Sequence, residues 1–292
     1  MPTQNSFNEQ MEREAQDGSE WRLGAVPVDL ALVPLKDRML WTPLGVLQYN
    51  NVMDTNGCAS RGPNNILETK LNYFYDHGMH PAIKRWCDEK GYRKDGKFVL
   101  SDNFLEILSG TTRQGNSLKA PVDALRLYGA IPAHMLTLEP NMTWEEYMNP
   151  KRVTQEMLDL GKEFLKRLTI NYEKVFVSEF LRYLEKDLID VAGAAWPQPV
   201  NGVYPRHEAS FNHAFATVNP EIDALDNYEP FTKRLAKDFK FFEWGYTLSI
   251  TRQTPYPEIV LTMFEILQKK GLLAYFADWL KRFTTNVKGL WS

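Results

Sequence analysis

The 292-residue chain has only two cysteines, Cys58 and Cys87. Two thiols cannot form a disulfide scaffold, so burial of apolar surface must hold the fold. No run of about 18 apolar residues occurs, and no membrane span is expected. Neither sign of charge dominates: 34 Lys and Arg against 37 Asp and Glu leave −3, which is not the electrostatic footprint of a nucleic-acid binder. Glycine and proline number 17 each, too few for a collagenous or linker-like chain. The start lacks the basic-then-apolar order of a secretory leader, for residues 1–22 carry Glu9, Glu12, Glu14, Asp17 and Glu20. They read as a peripheral arm, and a reducing cytoplasm with two free thiols is the expectation. No Gly-Lys-Ser/Thr completes a phosphate loop at Gly110–Gly115. His77 and His80 lack the further ligands of a metal site and read as surface histidines. No metal or other cofactor is expected.

What is present suits a sizeable core: 43% of residues are hydrophobic and 13% aromatic, with eight Trp. The length fits one large domain or two small ones. Pro27, Pro34 and Pro43 punctuate Leu23–Leu47, which predicts extended chain rather than helix. Apolar residues at helical spacing predict helices over 63–77, 102–109, 117–128 and 153–167. Pro63 suits a first helical position. Further on, 170–177, 188–196, 211–218, 224–228 and 244–251 read as strands, with a helix over 178–186 and helices again over 258–287. Helices then strands predict an α+β layout.

Three positions stand out chemically. Cys58, in Met53-Asp54-Thr55-Asn56-Gly57-Cys58-Ala59-Ser60, lies shortly before a helix, near whose N-terminus unpaired N–H groups favour a thiolate. His213 sits in the apolar run Phe211–Val218 as the best base among five histidines. Thirteen residues later, Leu225-Asp226-Asn227-Tyr228 offers Asp226 or Asn227 to accept from that imidazole and fix its tautomer. Cys87 reads as a small buried hydrophobe. Lys233, Arg234 and Lys237 read as a solvated basic face.

The order of these features resembles the papain-like cysteine peptidase superfamily, and its phage-encoded members above all. Asp54-Thr55-Asn56-Gly57-Cys58-Ala59-Ser60 is similar to that family's nucleophile block, and Asn65–Asn72 to its central helix. Ser101–Leu105 and Gly115–Leu118 resemble cleft-lining segments, and Tyr128–Pro132 the turn after the next helix. Trp196–Tyr204 followed by Asn212-His213-Ala214 resembles the approach to the family's histidine. Leu225–Pro230 resembles the block of the third catalytic residue, and Trp244-Gly245-Tyr246 a late strand.

The resemblance spans residues 40–251. It implies a two-lobe α+β fold over 23–252, with a helical lobe at about 53–168, a β-rich lobe at about 169–252 and a helical extension at 253–292. It implies Cys58 as nucleophile, His213 as base, Asp226 (or its neighbour Asn227) as orienting group and Gln48 as an oxyanion donor. Peptides or proteins would be the substrates. Arg61-Gly62-Pro63 departs from the family pattern. A helix capped at Cys58 would carry Pro63 in its interior, whereas a helix starting at Pro63 would leave Cys58 on a loop. The alternative function is a phage virion or assembly protein on a non-catalytic form of this fold, with partners docking through the N-terminal arm and the C-terminal helices. Its location would be the host cytoplasm or the virion.

Overall fold

Helices and strands divide the chain at Leu168. The computed structural model describes residues 29–251, so the arm at 1–22 and the extension at 253–292 lie outside the described residues. Before Leu168 come α1 (Arg38–Trp41), α2 (Cys58–His77), α3 (Pro81–Glu89), α4 (Asp102–Ser109), α5 (Lys119–Tyr128), α6 (Trp144–Tyr147) and α7 (Gln155–Arg167). Strands β1 (Arg93–Lys94) and β2 (Lys97–Phe98) make a small antiparallel hairpin among them. After Leu168 come β3 (Thr169–Phe176), α8 (Phe180–Leu184), β4 (Ile189–Gly193), β5 (Val203–Tyr204), β6 (His213–Thr217), β7 (Asp223–Leu225), β8 (Thr232–Leu235) and β9 (Phe241–Thr251). The chain is therefore α+β. No helix among the described residues is long and apolar enough to cross a membrane.

Local chemistry sets the helix ends. The Ser101 side chain accepts from Phe104 N–H to start α4, and Gly110 ends it in the left-handed region at φ 76°. Thr154 starts α7 in the same way by accepting from Met157 N–H. His80 caps α3, with Pro81 in its first turn. His80 is thus a capping residue of a helix that the periodicity does not announce. His77 stacks on Tyr73 with ring centroids 4.2 Å apart.

The seven-stranded sheet runs in the order β3-β9-β4-β6-β7-β8-β5. Its pairs are antiparallel except β5 with β8. Helix α2 packs across β4, β6 and β9. A separate apolar cluster gathers Val175, Phe180, Ile189, Val191, Phe215 and Phe239.

Every residue of α2 from Cys58 to Asn72 is buried, although many are polar. Buried polar groups require partners, and those here tie the helix to several elements. Arg61 pairs with Asp102 at 2.7 Å. Asn65 donates to Asn227 at 3.0 Å, and Glu68 accepts from Leu100 N–H at 2.6 Å. Lys70 bridges Asp29 and Asp187 at 2.6 Å each. Asn72 donates to Trp41 O at 2.9 Å and accepts from Phe98 N–H at 2.7 Å.

Two expectations are corrected. The helix predicted over 63–77 begins at Cys58 and carries Pro63 in its interior. The N–H that Pro63 lacks is the one that would bond Ala59 O, a loss of about 3 kcal/mol that tertiary packing must offset. Within Leu23–Leu47, Arg38–Trp41 is helical. Its Arg38 is buried and donates to Leu184 O, to Asp187 O at 3.1 Å and to Val218 O at 3.0 Å. These carbonyls are distant in sequence, so no local pattern announces the turn.

Removing the Lys70 charge strands the buried Asp187 carboxylate and the partly buried Asp29 carboxylate. The Lys70→Met variant is expected to lose about 3–5 kcal/mol of stability in urea unfolding. A loss below about 1 kcal/mol would show that α2 does not need this bridge.

Candidate active site

A tight turn delivers Cys58 to the start of α2. Asp54 Oδ1 accepts from Asn56 N–H at 2.8 Å, and Thr55 Oγ1 accepts from Gly57 N–H at 3.2 Å. Such side-chain turns are what Asp and Thr favour in this context. Asn56 sits at φ 53°, a value that Asn tolerates better than most residues. Gly57 is required by space, because a Cβ there would run into the Glu106 carboxylate. Gly62 is required likewise, because its Cβ would strike Asp190 on β4. The first helical residue is Cys58, and no side chain caps the helix. Its first-turn N–H groups and the helix dipole thus point toward the thiol's surroundings.

His213 opens β6, where it pairs with Gly193 at the end of β4. Its Nε2 lies 2.7 Å from Asp226 Oδ1. Asp226 directly follows β7, and Leu225 pairs with Ala216, so the chain leaving β7 passes beside the start of β6. With Nε2 engaged by Asp226, Nδ1 is the nitrogen left for Cys58, whose thiol lies near enough to act on the ring electrostatically. Cys58, His213 and Asp226 are therefore brought together. The imidazole lies between Trp196 and Tyr228, with ring centroids at 5.5 and 5.4 Å.

Burial opposes a charge on His213, but Asp226 and then Cys58 more than offset it and raise the imidazole from 6.5 to about 10. Burial pushes Asp226 upward, while His213 and Lys233 outweigh it and bring the carboxyl down to about 2. The pair is thus an imidazolium against a carboxylate at neutral pH.

The other candidates lie elsewhere or have different partners. Asn227 turns away from the imidazole: it donates to Val46 O at 2.7 Å and accepts from Asn65 at 3.0 Å. Gln48 is buried, and its Nε2 donates to Asp54 at 3.0 Å and to the Tyr228 hydroxyl at 2.7 Å. Both amide hydrogens are thereby engaged. The Tyr228 hydroxyl in turn donates to Asp54. Cys87 is fully buried in α3, and burial pushes its thiol up to about 12. A cavity walled by Leu47, Tyr49, Arg61, Asp102 and Tyr147 does not include Cys58, His213 or Asp226.

One expectation fails outright. Lys233 is no solvated residue, for its side chain is 2% exposed and its ammonium lies 2.9 Å from Asp226 Oδ2. Leu235 carried the available signal. The two share a parity on β8, and an inward leucine implies an inward lysine. Tyr228, Trp196 and Asp54 lie in the recognised blocks, but nothing in the sequence distinguishes them as contacts of this site.

No family model and no curated protein matches the chain. Among solved structures it is similar to xylellain, a cysteine protease from Xylella fastidiosa, at 12% identity. That alignment covers 80% of this chain and 96% of the other, with a TM-score of 0.42. A likeness at that level carries no functional argument, which has to come from the geometry.

His213 holds its proton to about pH 10 when folded and to 6.5 in its ordinary state. Its stabilising contribution is full below pH 6.5 and is lost as pH rises through about 10. For Asp226 the sign is opposite: its contribution is present above 3.8 and is lost as pH falls through about 2. The stability cost of His213→Gln, measured by urea unfolding across pH, should be largest below pH 6.5 and fade toward about pH 10. A cost independent of pH would show that the imidazolium is not the species that stabilises the fold.

Proposed function

We propose that this protein is a papain-like cysteine peptidase, a thiol hydrolase acting on peptide or protein substrates. The observation that carries the reading is the His213–Asp226 pair, joined at 2.7 Å, beside Cys58 at the N-terminus of a buried helix. Each group has one task. The Cys58 sulfur, facing the imidazolium and the helix N-terminus, attacks the substrate carbonyl. The backbone N–H of Cys58 receives the oxyanion that forms. His213 gives its proton to the leaving amine, then takes one from the water that cleaves the acyl-enzyme. Asp226 keeps the ring oriented and stabilises its charged form. With both hydrogens engaged, Gln48 contributes to the oxyanion only after giving up Asp54 or Tyr228. In the conformation described it positions Tyr228 against His213.

The interior Pro63 does not count against this reading, because α2 extends to Cys58 despite it. The alternative of a non-catalytic phage virion protein has no specific observation in its favour among the described residues.

Alkylation with iodoacetamide at pH 6, followed by peptide mapping, tests the reading. Cys58 is 7% exposed and Cys87 0%, so access alone would give some preference. Replacing His213 separates access from activation. Cys58 should react about 100-fold faster than Cys87. That reaction should be absent in Cys58→Ser and slowed at least about tenfold in His213→Ala. Equal, slow modification of both thiols, or a rate indifferent to His213→Ala, would sink the proposal.

A further inference from the structure

Alternation along β8 exposes Thr232 and Arg234 and buries Lys233 and Leu235. A buried ammonium must be compensated, and Lys233 has three oxygen partners. Asp226 Oδ2 lies at 2.9 Å. The carbonyls of Tyr228 and Pro230 accept from the ammonium at 2.6 Å each. The ammonium also lies over the Trp196 ring, 5.1 Å from its centroid.

Both carbonyls belong to the loop between β7 and β8, which carries Asp226 and Tyr228. Lys233 therefore ties down the segment that meets His213. The other oxygen of the same carboxylate, Oδ1, faces His213 Nε2 at 2.7 Å and accepts from Asn227 N–H at 2.8 Å. One carboxylate is thus divided between two cations.

We propose that Lys233 is a positioning residue that occupies Asp226 Oδ2, leaves Oδ1 aimed at His213, and loosens the carboxylate's hold on the imidazolium proton by sharing its charge. The inference rests on the reading of Cys58, His213 and Asp226 as the reacting set. Its chemical sense is a balance. Without a carboxylate the imidazole would be free to turn, and with an undivided one it would be a poor acid toward the leaving amine.

The groups facing His213 are Cys58 from α2, Asp226 and Tyr228 from the β7–β8 loop, Trp196 from the chain after β4, and Phe215 from its own strand. Asp54 bonds the Tyr228 hydroxyl. Tyr204 and Trp196 face Lys233. Among the groups named, Lys233 is the one cation besides His213 that touches Asp226.

The test is the titration of the His213 ring by NMR, in the full chain with ring-labelled histidine and with His213→Gln for assignment. Neutral replacements remove the competing cation, so K233M and K233Q should move the His213 midpoint upward by about half a pH unit or more. K233R, which keeps a cation, should leave it near the wild-type value. A purely structural lysine would lower the melting temperature without moving the midpoint. A midpoint that stays put or falls in the neutral variants overturns the proposal. Loss of a cooperative melt in both neutral variants would assign Lys233 to the fold and overturn it as well. A wild-type His213 that titrates near 6.5 would instead sink the reading of the reacting set itself, so the two failures are distinguishable.

Discussion

The structure depends on a helix that is buried on all sides and is largely polar. From Cys58 to Asn72 every residue of α2 is buried, yet Arg61, Asn64, Asn65, Glu68, Lys70 and Asn72 lie in that stretch. Desolvating such groups is costly unless each finds a partner. Their partners come from α1, α4, β2, the β7–β8 loop and the chain just before β4. The helix is thus held by directional bonds, which fix its register against the sheet more tightly than apolar contact would. That register sets where Cys58 stands relative to His213.

The same constraint explains the segment that breaks the usual rules of helix composition. Gly57 and Gly62 are poor helix formers, and Pro63 cannot donate. The two glycines let the helix approach Glu106 and Asp190 at distances that no side chain would allow. Pro63 is tolerated because the surrounding contacts, not intrinsic propensity, hold the first two turns. A segment chosen for close approach to the sheet brings the thiol to the end of β6.

Legibility varied with how local the determining interaction is. Helices α4, α5 and α7 and strands β3, β4, β6 and β9 follow from periodicity, since each has a regular apolar face or a recognisable cap. The N-terminus of α2 lies five residues before Pro63, although a proline usually marks a first turn. Its actual start is decided by packing against α4 and β4. Strand β8 and the helix at Arg38–Trp41 escaped because their polar residues look like surface. Arg38 and Lys233 are in fact buried cations: the acceptors of Arg38 are carbonyls remote in sequence, and those of Lys233 are two carbonyls and a carboxylate of the loop just before it.

By itself the sequence determined the α+β order and a short set of candidates in Cys58, His213 and the pair Asp226 and Asn227. Periodicity and short motifs act between near neighbours, so they can be read along the chain. Only the tertiary structure set Asp226 rather than Asn227 against His213, directed Gln48's hydrogens to Asp54 and Tyr228, and turned Lys233 inward to Asp226. Those outcomes depend on which side chain of a loop faces which strand. Sheet register and the cost of burying an unpartnered charge set that choice across many residues of intervening chain.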